Sequence, residues 1–211
     1  MSSGVGSGGA AVQEILADGC DAPAAGATRP LRADAQRNRV RILEAAEMVF
    51  AAEGIDAPVD RIAEKAGVGV GTLYRHFPTK ERLCEAILLE RLVQLTDDAR
   101  ALADAEDPTV AFFGFLESFA ETATLKRDLL AAVMNASPDF HAAAEPVKEG
   151  LRQALGVLLV RAQECGSVRS DVTPDAVMAL TGGACQGAAY SATTLPSDLL
   201  AIVCYGLRTQ R

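Results

Sequence analysis

Residues 66–80 read AGVGVGTLYRHFPTK, the pattern of the turn and second helix of a helix-turn-helix. Before them, apolar residues recur at helical spacing from Val59 to Ala66, which predicts the first helix of the motif. Gly67 can take a positive φ and end that helix. Pro78 closes the second helix, because the residue before a proline is pushed out of the α region. Small residues at the turn and an inward Leu73 then let the two helices cross at a steep angle.

The second helix of the motif has an apolar face and a polar face. At about 100° per residue, Leu73 and Phe77 point into a core, and the opposite face is polar. Arginine reads guanine edges and threonine contacts bases or thymine methyl groups, whereas residues at the sides of such a helix lie near phosphates. The predicted DNA-contacting residues of this region are Gly71, Thr72, Tyr74, Arg75, His76 and Lys80.

Four short segments within Ile42–Leu83 resemble the DNA-binding domain of the tetracycline-repressor (TetR) family of bacterial transcription regulators. They read ILEAA at 42–46, FAAEG at 50–54, IAEKAGV at 62–68 and GTLYRHFPTKE at 71–81. Gly69 and Val70 depart from the Ser and Lys that the family often has there. Ala57 replaces its usual Ser or Thr cap, and Pro58 and Asp60 partly compensate at the start of that helix.

The resemblance implies an all-α protein of about nine helices, with a three-helix DNA-binding head and a larger helical body. We predict a disordered tail at 1–34, the head at 35–81, and an effector-binding and dimerisation body at 82–211. The implied partners are a double-stranded DNA operator, a small hydrophobic effector and a second copy of the chain. No cofactor and no membrane partner are implied.

The bulk composition is compatible with this interpretation. The net charge of −8 is unusual for a DNA-binding protein. However, residues 29–91 carry 11 Lys and Arg against 10 Asp and Glu, so the acidity lies elsewhere in the chain. An acidic body disfavours non-specific contact with DNA. No apolar run has the length of a membrane span, and the N-terminus lacks signal-peptide features, so we expect a cytoplasmic protein.

A basic segment precedes the head. The first helix is predicted from Ala35 to Glu53, because apolar residues follow an i, i+3, i+4, i+7, i+8 pattern there. Arg37 and Arg39 are expected to contact DNA, as part of an arm touching phosphates or the minor groove. The alternative is a solvated helix start, since charge runs are commonly solvated. The arginines of this segment are Arg29, Arg32, Arg37, Arg39 and Arg41.

The rest of the chain reads as a series of helices. Thr79 is the predicted N-cap of a long fourth helix that runs towards Ala105. Further helices are predicted at about 108–124, 126–135, 138–165, 174–192 and 197–208. Pro146 is expected to kink the longest of these.

The body contains aromatic and methionine residues that can line an apolar effector cavity. The alternative is that they only pack the core. Polar groups are few, and His141 reads more readily as a surface or packing histidine than as a ligand-binding group. The predicted pocket residues are Phe112, Phe115, Phe119, Met134, Phe140, His141, Met178 and Gln186.

The last two helices are expected to form the dimer interface, as the resemblance implies. Small residues in the first of them permit close helix approach, and an apolar stripe follows in the second. The alternative is that both stripes close the monomer core. The predicted interface residues are Ala184, Ala188, Leu199, Ile202 and Val203.

Other chemistry finds little support in the sequence. The glycines of 67–71 follow a helix rather than a strand, which argues against a phosphate loop. Only two histidines are present and no clustered ligand pattern occurs, so we expect no metal site and no catalytic residues. Five cysteines without a Cys-x-x-Cys pair are expected to be reduced and mostly buried, with redox sensing as the alternative.

The resulting hypothesis is a homodimeric, ligand-responsive regulator, most often a repressor in this family, that binds a palindromic operator. The rivals are a helical DNA-binding protein without an effector and a helical enzyme. A cavity in the body would favour the hypothesis over a DNA-binding protein without an effector. A helical enzyme would need a set of catalytic residues.

Overall fold

The computed structural model describes residues 29–125, 129, 133, 140–187 and 196–209. Helices dominate these residues, and the all-α prediction is confirmed for them. Their helices, numbered here in chain order, are α1 (Arg29–Glu53), α2 (Val59–Ala66), α3 (Val70–His76), α4 (Lys80–Ala101), α5 (Pro108–Leu125), α6 (Phe140–Glu164), α7 (Pro174–Gly187) and α8 (Pro196–Leu207).

The described residues form two compact units. The first comprises the described residues up to Leu88 and those between 128 and 143, and it contains the helix-turn-helix. The second comprises residues 89–127 and the described residues from Ala144 onwards. The unit boundary falls inside α4, which is one continuous helix from Lys80 to Ala101.

The turn of the helix-turn-helix is built as the sequence predicts. Gly67 ends α2 with φ 63° and ψ 39°, and its backbone N–H donates to the carbonyls of Ala63 and Glu64. Val68 N–H also donates to Ala63 O, at 3.0 Å. Such a left-handed cap satisfies carbonyls that the end of a helix leaves without partners. Gly69 then precedes α3, and its carbonyl accepts from Thr72 and Leu73.

The core of the first unit comes mainly from inward faces of α1, α2 and α3. Ile42 and Ile62 are fully buried, and Leu73 retains 1% of its exposure. Burying a side chain of this size contributes roughly 1.5–3 kcal/mol, which stabilises a short helix that could not persist alone. Other buried members are Ala45, Ala46, Val49, Phe50, Ala63 and Phe77.

Helix α1 begins at Arg29, six residues before the predicted start at Ala35. The predicted tail was therefore too long, because residues 29–34 are helical. Pro30 does not prevent this, since a helix tolerates proline in its first turn. An ion pair between Asp34 and Arg37, three residues apart on the helix, also favours the helical form. Residues 1–28 of the predicted tail lie outside the described residues.

Thr79 caps α4, as predicted: its Oγ1 accepts from the backbone N–H of Arg82 at 3.2 Å. At the other end, Arg161 of α6 donates to Ala103 O at 2.5 Å and to Ala105 O at 2.8 Å. These carbonyls follow the last turn of α4, where a cation is favourable. The helix ends at Ala101, slightly before the predicted limit near Ala105.

The second unit is packed around the inward faces of α5, α6, α7 and α8. Phe112 and Val177 are fully buried in its core. The C-terminal segment is tied back by an antiparallel bridge between Val168 and Arg208, and the Arg208 guanidinium lies 4.2 Å from the Phe113 ring centroid. Pro146 lies within α6. Of the helix predicted at 126–135, only Leu129 and Val133 are described, and both are helical and buried.

Candidate nucleic-acid interface

Helix α3 has the two faces that its sequence predicts. Leu73 and Phe77, the latter at the residue that caps the helix, retain only 1% and 2% of their exposure. Tyr74 is 45% exposed although it is aromatic. The outward set comprises Gly71, Thr72, Tyr74, Arg75 and His76, of which Thr72 and His76 are half-buried. A phenol and a guanidinium are therefore exposed on this helix and a hydroxyl is partly exposed, and these are groups that can contact bases and phosphates.

Gly71 has no packing role among the described residues. A Cβ atom added there would meet nothing within 4 Å, and its φ is not positive. Gly67 differs, because its φ is positive and an added Cβ would lie 2.6 Å from Arg41 Nη2. Gly67 is thus needed by the fold, whereas a glycine at 71 leaves the outward surface open to close approach by a ligand's backbone.

His76 is half-buried at the end of α3. Burial, followed by the positive charge of Arg39, lowers the pKa of its imidazole below the usual value. The neutral imidazole therefore predominates at neutral pH. It can donate or accept a hydrogen bond but adds no positive charge to this surface.

The predicted basic arm is helical where it is described. Arg39 of α1 lies over the Phe77 ring, 4.7 Å from its centroid, which is a cation–π contact. Arg37 is ion-paired with Asp34 and is exposed. The structure thus places Arg39 beside the end of α3. This contact was missed from the sequence, because 38 residues separate the partners and no periodicity links them.

Lys80 occupies a position that the phosphate-contact prediction did not anticipate. Its Nζ donates to Ala57 O at 2.8 Å and lies 5.6 Å from the Phe50 ring centroid. The side chain is half-buried. Lys80 therefore ties the start of α4 to the residue before Pro58, so its ammonium group is engaged within the first unit.

A narrow apolar crevice, called here the body crevice, lies within the second unit. Its lining comes from Phe115, Leu116 and Phe119 of α5, Leu151 and Leu155 of α6, and Val177, Met178 and Thr181 of α7. It is too narrow for a water molecule. Phe119 and Met178 are half-buried, whereas Thr181 has no exposed surface.

The predicted effector residues divide into several groups. Phe115, Phe119 and Met178 line the body crevice. Phe112 instead packs edge-on against Phe113, with ring centroids 5.2 Å apart, and Gln186 is exposed, so neither belongs to this lining. Phe140 is buried in the first unit. Met134 and the side chain of His141 lie outside the described residues. Thr181 was missed, because one threonine in an apolar helix has no distinctive pattern.

Apolar side chains are exposed on the last two helices. Ile202 is 67% exposed and Tyr205 is 72% exposed on α8, and Leu180 of α7 is 50% exposed. Ala184, Leu199 and Val203 are half-buried, and Ala188 lies outside the described residues. A Cβ added at Gly187 would lie 3.7 Å from Leu199 Cδ1, which shows α7 and α8 packed closely together.

The described cysteines differ in environment. Cys84 and Cys185 are buried, Cys204 is half-buried and Cys165 is exposed, so Cys165 is the exception among the described cysteines to the expectation that they are mostly buried. Burial raises the pKa of Cys84 to about 11, whereas hydrogen bonding with Ser167 lowers the pKa of Cys165. Cys20 lies outside the described residues.

None of the helices within 29–125, 140–187 and 196–209 is both long and apolar enough to cross a bilayer. Over the same part of the chain, no three His, Cys, Asp or Glu side chains meet in an arrangement suited to a metal ion.

Known proteins resemble this chain in both units. Residues 42–87 match the family model described as bacterial regulatory proteins of the tetR family, and residues 107–209 match the model described as the C-terminal domain of SbtR-like transcriptional regulators. An HTH-type transcriptional regulator from Staphylococcus aureus is 46% identical over 59 residues, which are 28% of this chain. That alignment spans only 32% of the relative's length.

Solved structures extend the similarity over most of the chain. A TetR transcription regulatory protein from Mycobacterium vanbaalenii is 39% identical, with a TM-score of 0.66, over 85% of this chain and 100% of that one. A TetR transcriptional regulator from Streptomyces coelicolor is 34% identical, with a TM-score of 0.63, over 82% of this chain and 99% of that one. Such identity over a complete relative establishes common membership, so the chain belongs to the TetR family of transcriptional regulators.

Proposed function

We propose that this protein is a ligand-responsive repressor that binds a palindromic operator as a homodimer. Operator binding is assigned to residues 35–81, and effector binding and dimerisation to 82–211. The observation that carries the proposal is the outward face of α3, where Thr72, Tyr74 and Arg75 share a surface that makes no contribution to the core. Family membership supplies DNA binding, and these side chains supply the means of reading a sequence.

Arg75 is the proposed base-reading residue. It is exposed on the middle of the outward face, and a guanidinium can donate two hydrogen bonds to one guanine. Replacing Arg75 with Ala should cost roughly 1–3 kcal/mol on the operator and relax preference at one base pair. Its effect on scrambled DNA should be much smaller.

The test begins with selection of bound fragments from the genome that encodes the protein, followed by titration of the chosen operator and of a scrambled duplex. Arg100→Ala is the matched control, since Arg100 is an exposed arginine of the second unit and its loss changes the net charge equally. Equal losses on both duplexes for Arg75→Ala would show that Arg75 holds phosphates instead of reading a base.

Dimerisation is proposed because one short helix reads few base pairs. Helix α3 has 7 residues, so its length is about 10 Å. A two-fold dimer doubles the reading surface, with half-sites about 34–36 Å apart or a multiple of that spacing. Exposed Leu180, Ile202 and Tyr205 support an interface on α7 and α8, since such side chains gain by burial against a second copy.

The proposed interface is tested by placing a negatively charged side chain in it. Ile202→Glu should give monomers in sedimentation experiments and should weaken operator binding. Val110→Glu is the matched control, because Val110 is 68% exposed, close to the 67% of Ile202, but lies in the first turn of α5. An Ile202→Glu protein that stays dimeric and keeps its operator affinity would refute this interface.

Effector response is proposed to act through α4. This helix starts beside the helix-turn-helix at Lys80 and continues to Ala101 in the second unit. A ligand that binds two states unequally shifts their populations, and a coupling of about 1–3 kcal/mol would clearly reduce operator binding. A tilt of α4 in each copy would change the separation of the two α3 helices.

One observation favours the rival, a DNA-binding regulator without an effector. The body crevice has no room for a water-sized molecule. A screen of hydrophobic compounds by thermal shift, followed by operator titration with each hit, separates the two functions. Hits that release the operator support effector response, whereas a complete lack of hits supports constitutive binding.

A further inference from the structure

The body crevice contains one polar group that the interior of the protein leaves without a hydrogen bond. Thr181 has no exposed surface, and its Oγ1 has no partner among the described residues. Buried hydroxyl groups are nearly always paired, so an exception needs a reason. Thr96 shows the ordinary solution in the same unit, since its Oγ1 donates to Leu92 O four residues earlier, at 2.7 Å.

The surroundings of Thr181 restrict what could pair with it. Among the eight residues that line the body crevice, Thr181 is the one polar residue, and none is charged. A charged ligand group would lose its hydration there without compensation. A hydroxyl can both donate and accept, so either an alcohol or a carbonyl oxygen can bond to Oγ1.

The crevice has a route for opening. Its deep members include Phe115 and Leu155, each with 2% of its exposure, whereas Phe119 and Met178 are half-buried and mark the side nearest solvent. Methionine has three rotatable bonds and adapts its shape readily. Rotation of Met178 would widen the crevice that Met178 and Thr181 both line.

We propose that the body crevice binds uncharged, mostly apolar molecules that carry one hydroxyl or carbonyl group, and that Thr181 Oγ1 hydrogen-bonds this group. The inference rests on the proposed effector response and names the chemical class of the effector. Thr181 lies on the inner face of α7, and Leu180 is exposed on its other side. A ligand under Thr181 would therefore press on the helix that carries part of the proposed dimer interface.

The test uses two probes of nearly one shape, p-cresol and p-xylene, titrated calorimetrically into the full chain. The readout is the ratio of their affinities. Thr181→Val keeps the side-chain shape and removes the hydroxyl, so it should lower the preference for p-cresol roughly threefold to tenfold. Thr181→Ser should keep the preference for p-cresol, and the control Thr96→Val should not change that preference. An unchanged ratio in Thr181→Val, or no binding of either probe at millimolar concentration to the unmodified chain, would overturn the proposal.

A measurement without ligand tests the same point. Because Thr181 Oγ1 has no partner in the described part of the chain, Thr181→Val should keep or raise Tm, whereas Thr96→Val loses the bond to Leu92 O. A larger drop in Tm for Thr181→Val than for Thr96→Val would overturn the proposal.

Operator titration in parallel separates this inference from effector response itself. If binding of p-cresol depends on Thr181 but the operator stays bound, the proposed binding site is supported, and the proposed effector response is contradicted for this ligand. If p-cresol releases the operator equally from the unmodified chain and from Thr181→Val, the response stands and the assignment to Thr181 is overturned.

Discussion

Replacing Lys80 with Ala should destabilise the protein and leave the salt dependence of operator binding nearly unchanged. The ammonium group donates to Ala57 O at 2.8 Å, and hydrogen bonds from charged groups contribute about 1.5–3 kcal/mol. Because Lys80 is half-buried, the lower limit of about 1.5 kcal/mol applies. The Phe50 ring, 5.6 Å away, is near the outer limit of a cation–π contact and adds about 0.5 kcal/mol.

The expected loss of about 2 kcal/mol corresponds to a fall in Tm of roughly 4–8 °C for a chain of this size. Differential scanning calorimetry measures it. Lys65→Ala is the control, since Lys65 is an exposed lysine of the same unit and such surface changes stay within about 0.5 kcal/mol. Operator titrations at several salt concentrations complete the assay. An unchanged Tm with a salt slope reduced by about one would refute the structural role and restore Lys80 as a phosphate contact.

Three further predictions concern the helix-turn-helix. Gly67→Ala should cost about 1–2 kcal/mol in urea unfolding, because alanine would have to adopt a positive φ, whereas the flexible end of Arg41 near the added Cβ can move aside. Gly71→Ala should instead raise stability by up to about 1 kcal/mol and weaken operator binding, and a Gly71→Ala protein with unchanged operator affinity would show that DNA does not approach this position. The lowered pKa of His76 means that the unfolded chain protonates first as the pH falls below 6.5, so stability is lost from that pH down to the folded-state pKa. His76→Gln should remove this part of the pH dependence in unfolding measured from pH 7.5 to 5, and identical profiles for both proteins would contradict the assignment.

Local rules were sufficient for most of the helix-turn-helix. The left-handed cap at Gly67, the inward positions of Leu73 and Phe77 and the Thr79 cap all follow from turn chemistry and helical periodicity over a few residues. The start of α1 was missed because a proline and two arginines in residues 29–32 obscured the helical pattern. Its first turn tolerates that proline.

Partners distant in the sequence could not be predicted in the same way. Lys80 was expected at a phosphate because lysine is a common phosphate contact, but its carbonyl acceptor lies 23 residues away, before α2. The hydroxyl of Thr181 became a candidate only when the packing around it was known. The aromatic composition of α5 predicted that Phe112, Phe115 and Phe119 line an effector pocket. Phe115 and Phe119 do line the body crevice, whereas Phe112 is fully buried in the core of the second unit.

The division of α3 into a buried face and an outward face has an evolutionary consequence. Leu73 and Phe77 are buried and hold the helix in place, whereas Arg75 is exposed. Under the base reading proposed above, a substitution at Thr72 or Arg75 would redirect the protein to a different operator without first requiring a compensating change in the core. Gene duplication followed by substitutions at these few positions would yield regulators that share a fold but bind different operators.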